Sequence, residues 1–214
     1  MTLGATSATG PMCDRGVKLV LIGDSNTGKS WFASRFNTEK EPVDTGKSTI
    51  GADFVSKILC VDNGSPLSVQ LWDTAGQERF KSFLPQLCRG ADAALVFFDS
   101  TNEETYKSVT SWLSIVEEIC DSKPCVLVAN KCDLIHHCFY EKSRSTIESL
   151  SRSQGFSSFH EVSALNGMNV DETVRSAVRH VLTNRERESA TSESDEKVVK
   201  LVPGDAHRKN GCAC

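Results

Sequence analysis

The chain has no apolar run approaching the ~18 residues of a membrane-spanning helix, so no helical span is expected. It has no basic excess either: 24 Lys and Arg stand against 28 Asp and Glu, a net charge of −4. That leaves no electrostatic footprint for nucleic acid. No secretory leader opens it, and its nine cysteines are scattered rather than framed for disulfides. Cys60, Cys120 and Cys125 sit in apolar runs and are expected to be reduced core residues of a cytosolic protein. Thr2, where myristoylation needs glycine, excludes that modification. His136-His137-Cys138 lacks a second tract at metal-ligand spacing and reads as a solvated loop. There is no internal repeat.

What is present suits one domain with tails. Residues 1–16 begin rich in Thr, Ser, Ala and Gly and read as a flexible extension. Residues 17–184 carry the patterned sequence; residues 185–214 turn to Glu, Ser, Arg, Lys and Asp and read as a disordered tail. Val17–Ile22, Ala93–Phe98 and Cys125–Ala129 are apolar almost without interruption, Lys18 excepted, as strands of a parallel sheet covered on both faces are. Phe54–Val61 and Leu67–Trp72, joined by Asp62-Asn63-Gly64-Ser65-Pro66, read as a hairpin. Phe156–Val162 supplies a last strand. Tyr106, Val109, Trp112, Leu113, Val116 and Ile119 recur at helical spacing, as do Val170, Val174, Ala177, Val178, Val181 and Leu182. Thr101 to Glu104 spells a capping box at a helix start. Strands alternating with helices predict a three-layer α/β fold, whose ligands bind at the C-terminal ends of the strands.

Three motifs carry chemistry. Gly23-Asp24-Ser25-Asn26-Thr27-Gly28-Lys29-Ser30 lies between a strand and a helix that opens with Trp31. This is the spacing of a phosphate-binding loop, in which glycines let the backbone wrap a polyphosphate and successive N–H groups meet its charge. Lys29 reaches the β- and γ-phosphates in such a loop, and Ser30 binds Mg²⁺. Asp73, at the tip of the second hairpin strand within Trp72-Asp73-Thr74-Ala75-Gly76-Gln77-Glu78, can hold Mg²⁺ through water. Gly76 can offer its N–H to a γ-phosphate and Gln77 can orient water. Asn130-Lys131-Cys132-Asp133 follows a strand. Asp133 can accept from the guanine N1–H and N2–H₂ groups, a donor pair adenine lacks, and leaving that carboxylate unpaired is costly. Lys131 lies along the base plane in this reading, and Asn130 ties the loop to the phosphate loop. Ser163-Ala164-Leu165 follows the last strand, where the Ala164 N–H can meet the guanine O6.

These residues, in this order, resemble a small GTPase of the Ras superfamily, and the Rab family most closely. Ser48-Thr49-Ile50-Gly51-Ala52-Asp53-Phe54 resembles the Rab switch I and the strand after it; Trp72 to Phe80 resembles Rab switch II; Arg89-Gly90-Ala91-Asp92 adds a further match. The likeness covers about Val17 to Asn184. It implies a six-stranded, mostly parallel sheet with one antiparallel edge strand and about five helices. It implies that Thr49 completes the Mg²⁺ shell in the GTP state, and that loss of γ-phosphate frees both switches. It implies nucleotide contacts from Asp24, Ser25, Asn26, Thr27, Gly28, Lys29, Ser30, Trp31, Thr49, Gly76, Asn130, Lys131, Asp133, Ser163, Ala164 and Leu165, with Gln77 and Lys29 catalytic. It implies an effector-facing surface at Ile50, Phe54 and Trp72. The Cys212-Ala213-Cys214 end is similar to a doubly geranylgeranylated Rab tail, since Gly211 rules out C-a-a-X.

The partners implied are an exchange factor, a GTPase-activating protein, an escort protein with geranylgeranyl transferase, a GDP-dissociation inhibitor and GTP-state effectors. A monomeric core on the cytoplasmic face of intracellular membranes, with a lean to endosomes, completes the expectation. The chain departs from the family in places. Asn37–Ser48 contains no aromatic to shield the nucleotide, the phosphate loop carries Asn26 and Thr27, and Leu87 stands where the third effector-facing residue is usually Tyr. Two alternatives remain beside a slowly hydrolysing switch. One is a GTP-binding scaffold driven by exchange; the other, a P-loop ATPase or kinase, runs against Asp133.

Overall fold

In the computed structural model of the chain, the described residues are 16–43, 49, 52–61, 64–74, 84–120, 123–137 and 144–199. Six strands form one sheet: β1 (Val17–Gly23), β2 (Ala52–Cys60), β3 (Pro66–Thr74), β4 (Ala93–Asp99), β5 (Cys125–Asn130) and β6 (Ser158–Glu161), in the order β2-β3-β1-β4-β5-β6. Every pairing is parallel except β2 with β3, so β2 is the antiparallel edge strand that the sequence implied. The helices are α1 (Lys29–Thr38), α2 (Leu84–Cys88), α3 (Glu103–Lys107), α4 (Val109–Cys120), α5 (Arg144–Ser153) and α6 (Val170–Val199), with a 3-10 segment at Cys132–His137.

The uninterrupted apolar runs are the central strands, and β4 and β5 are buried along their whole length. Alternate residues serve opposite layers. Val20, Ile22, Ala94, Val96, Phe98, Leu127 and Ala129 pack with Leu84 of α2, Trp112, Leu113 and Val116 of α4 and Ile147 of α5. On the other face Phe32 of α1 meets Phe97 edge to face, at 5.1 Å between ring centroids. Lys18, the one charge in β1, is not an intruder. Its ammonium donates to the carbonyls of Leu87 and Arg89 and stands 4.2 Å over the Trp72 ring.

Several expectations are corrected. The helical pattern from Tyr106 to Ile119 is two helices, with Ser108 capping α3 before α4 begins. Helix α3 is capped by Asn102, whose side chain accepts from the Glu104 N–H, while the Thr101 hydroxyl donates to Asp99 instead of closing a capping box. Cys60 is exposed on the edge strand, whereas Cys125 is buried as expected. The side chain of Cys120, the turn residues 62–63, and the segments 1–15 and 200–214 lie outside the described residues.

The chain divides into two compact units, Met1–Val181 and Leu182–Cys214. In the second, helical conformation runs to Val199, beyond Asn184 where the sequence suggests a disordered tail. Its Glu, Arg, Ala and Lys residues are good helix formers, which composition-based reasoning about burial overlooks.

The two faces of the sheet differ from its rim in their sensitivity. Phe97→Ala is expected to lower the unfolding free energy by ~3–5 kcal/mol in a urea titration. Ile58→Ala, at a side chain 70% exposed, should change it by less than about 0.5 kcal/mol. Equal losses at the two positions would contradict this layering.

Candidate functional site

Four connections leave the C-terminal ends of β1, β3, β5 and β6 on one edge of the sheet, where open α/β sheets bind ligands. After β1 the chain turns through Asp24 to Gly28 into α1. Gly28 caps the helix at φ 86° with no side-chain cap, so the first helical N–H groups receive no side-chain oxygen there. A Cβ at position 28 would run into Asn130 Nδ2, so both its conformation and its surroundings demand glycine. Asn26, at φ 63°, adopts the same left-handed region, which asparagine tolerates.

Lys29 is buried, and its ammonium donates to the carbonyls of Gly23 at 2.9 Å and Asp24 at 2.8 Å. The Thr27 hydroxyl donates to the same Asp24 carbonyl. Burial lowers the Lys29 pKa to about 8, against the opposing pull of Asp73 and Asp24. Asp73 stands across β1 at the end of β3, its Oδ2 accepting from Ser30 at 2.6 Å and Thr49 at 3.2 Å. The two hydroxyls are 2.8 Å apart. Burial raises the Asp73 pKa, while the Ser30 hydrogen bond and Lys29 pull it down. Its Oδ1 is buried without a hydrogen-bond partner among the described residues. Three hard oxygen donors with one orphaned lone-pair face fit a small divalent cation with retained waters. Among the described residues no group of three or more His, Cys, Asp or Glu gathers, and Cys138 lies outside them.

The second half of the site is built on Asn130, which is buried at the end of β5. Its Nδ2 donates to the Thr27 carbonyl at 2.8 Å and its Oδ1 accepts from the Ala164 N–H at 3.0 Å. One side chain thus clasps the phosphate loop to the loop after β6. The Ala164 N–H, expected from sequence to face a guanine O6, is here given to Asn130. Lys131 takes a left-handed conformation, φ 67°, and its ammonium meets Asp99 Oδ2 at 2.6 Å. Burial pushes the Asp99 carboxyl up, but Lys131 and Thr101 outweigh it and hold the group below the usual carboxylate range. The Ser163 hydroxyl donates to Asp133 Oδ1 at 2.5 Å and accepts from the Asn166 N–H, fixing one oxygen of that carboxylate. Leu165 is partly exposed beside them.

The structure therefore brings together Asp24 to Trp31, Thr49, Asp73, Asn130, Lys131, Asp133 and Ser163 to Leu165. Ile50, Gly76, Gln77, Cys212 and Cys214 lie outside the described residues. Phe54 and Trp72 stack at 5.2 Å where β2 edges the sheet, with Trp72 packed against the α2–α4 cluster and Phe54 53% exposed, and Leu87 is partly buried near Lys18. Sequence reasoning missed two supports. Trp112 of α4 donates its indole N–H to Asp24 Oδ1 at 2.8 Å, and Asp99 anchors Lys131. An acidic residue at the tip of a buried strand was the available signal for Asp99; Trp112 was hidden among core positions of its helix.

A profile of the Ras family matches residues 18–183. Ras-related protein Rab11A of Nicotiana tabacum is 36% identical over 205 residues, covering 91% of this chain and 93% of the relative. Ras-related protein RABA5b of Arabidopsis thaliana is 37% identical over 180 residues, 83% and 80%. Ras-related protein Rab-13 of Mesocricetus auratus is 34% identical over 201 residues, 92% and 95%.

The Lys29 environment sets a pH dependence. An incoming polyphosphate adds negative charge beside the ammonium and raises its pKa above the free value of about 8. Above that pH the free protein has lost the proton and the complex keeps it, so binding takes up a proton and affinity falls as pH rises. Calorimetry at about pH 8.5 in two buffers of different ionisation enthalpy should register that uptake, and Lys29→Met should abolish it. Binding without proton exchange would contradict the assignment.

Proposed function

Because the chain belongs to the Ras family as a Rab-type small GTPase, we propose that it is a GTP/GDP-regulated switch in intracellular vesicle trafficking that hydrolyses GTP slowly. The observation that carries this reading is the Asn130 clasp, because it joins a phosphate-binding loop to a loop containing Asp133. A phosphate site and an Asp133 carboxylate held at one fixed separation suit a guanine nucleotide.

The residues divide the work. The Lys29 ammonium exchanges the Gly23 and Asp24 carbonyls for phosphate oxygens, and N–H groups from Asp24 to Trp31 line the same charge. Ser30, Asp73 and Thr49 would hold Mg²⁺, whose role when bound is to neutralise charge on the phosphate oxygens. The orphaned Asp73 Oδ1 supports that assignment. Asp133 reads the guanine edge with Ser163 orienting it, and Lys131 lies along the base, steadied by Asp99. Gly76 and Gln77 meet the γ-phosphate and the attacking water. Among the described residues no arginine stands with those that would hold the phosphates, so rapid turnover needs a GTPase-activating protein, and arginine supplied in trans is worth ~10³–10⁵ in rate.

The stacked Phe54–Trp72 pair, with Ile50 and Leu87, is the surface for GTP-state effectors. Cys212 and Cys214 are the prenylation sites, served by the escort protein and geranylgeranyl transferase. Two lipid chains anchor stably where one is marginal. An exchange factor and a GDP-dissociation inhibitor complete the cycle on the cytoplasmic face of intracellular membranes, endosomes being favoured. A second reading, a scaffold driven by exchange, is favoured by Asn26 at the loop tip and by the segment 37–48 without an aromatic.

Single-turnover hydrolysis with Mg²⁺, beside Gln77→Leu, separates the two. The switch predicts slow hydrolysis that falls roughly ten-fold or more in the variant, with GTP displaced by GDP but not by ATP. Negligible hydrolysis in both proteins with rapid GDP release would favour the scaffold. In a reaction with geranylgeranyl transferase and escort protein, the wild type should take up two lipids and Cys212→Ser/Cys214→Ser none; uptake by the double variant would refute the tail assignment.

A further inference from the structure

Trp31 is a large apolar side chain in a place the core does not explain. Helix α1 buries Lys29, Phe32, Ala33 and Phe36. Trp31 lies about 150° around the helix from the middle of that stripe, yet it is only partly exposed. Arg35, four residues on, shares its flank. The Arg35 guanidinium donates to the carbonyls of Leu165 at 3.3 Å and Asn166 at 2.8 Å. Gly167, at φ 89°, makes room for it: a Cβ there would stand 2.6 Å from Arg35 Nε. This flank of α1 therefore faces the loop after β6, which fixes Asp133 through Ser163.

Trp31 sits one turn nearer the helix N-terminus than Arg35, and helical side chains lean toward that end. Its Cα–Cβ bond is thus inclined toward the phosphate-loop end of α1, on the flank that faces the Leu165 loop. Lys131 accounts for one face of a base held by Asp133, pinned there by Asp99. The α1–β2 connection offers the opposite face no aromatic side chain from Asn37–Ser48, which contains none. Of the residues described there, 39–43, Pro42 alone is buried.

We propose that the Trp31 indole covers the second face of the guanine base. This rests on the guanine-nucleotide reading above and goes further, because it assigns the side chain and not only the backbone of residue 31. An indole is a stacking platform for any base, so it contributes retention of the nucleotide while Asp133 contributes selectivity.

The test uses the full chain loaded with a ribose-labelled, N-methylanthraniloyl GDP. Trp31→Ala should release it roughly ten-fold faster than wild type, and Trp31→Phe should restore release to within about three-fold. Equal release rates in wild type and Trp31→Ala overturn the proposal. If Trp31→Ala does not fold by circular dichroism, Trp31→Leu decides, since it keeps apolar bulk without a stacking face: release at the wild-type rate overturns the proposal. A wild-type chain that retains no guanine nucleotide defeats the underlying reading as well, and is distinguished by the absence of bound label at the outset.

Discussion

The site depends on one buried amide. Asn130 uses its donor on the Thr27 carbonyl and its acceptor on the Ala164 N–H, so two loops that lie 103 residues before it and 34 residues after it are held at fixed separation. An aspartate could not donate to Thr27, and a shorter side chain could not reach. The amide is buried where each lost partner would leave a desolvated group, which makes the clasp stiff. Gly28 follows from it, because no side chain fits between that residue and the amide.

The rest of the site is preorganised electrostatically and incompletely satisfied. Lys29 is buried against carbonyls, and Asp73 keeps one oxygen without a partner. Burial drives both groups toward neutrality, lowering the one pKa and raising the other. Each would be stabilised by what the proposed Mg²⁺-nucleotide brings: phosphate oxygens for the ammonium, a cation for the carboxylate. Such an arrangement favours the ligand-bound state without a large rearrangement of the sheet beneath it. Trp112 and Asp99 extend the same logic outward. The indole N–H fixes Asp24 from α4, and the Asp99 carboxylate fixes Lys131 from the end of β4.

How much was legible in the sequence follows from how local each signal is. The phosphate loop, the Asp73 turn and the Asn130–Asp133 segment are contiguous, and each sits at a strand end marked by an apolar run. Their chemistry could be read residue by residue. The central strands were legible because burial on both faces erases alternation, and Lys18 stood out as the exception whose partners only the fold reveals. Contacts between distant segments were not legible. Trp112 has the same helical spacing as its core neighbours, so nothing local distinguishes the residue that reaches Asp24. Arg35 touches a loop 130 residues away. The Ser108 break and the exposure of Cys60 were missed because periodicity does not register a cap or a sheet edge. The helix beyond Asn184 was missed because polarity was taken for disorder.

The account stands on the claim that Asn130 makes the phosphate and base loops a single unit. Dissociation of labelled GDP from Asn130→Ala, measured in Mg²⁺ beside wild type, tests it most directly. The clasp predicts release at least ~10-fold faster, with the far-ultraviolet circular dichroism of the sheet and helices unchanged. Release at the wild-type rate from a folded variant would show that the two loops hold the nucleotide independently, and would contradict the account.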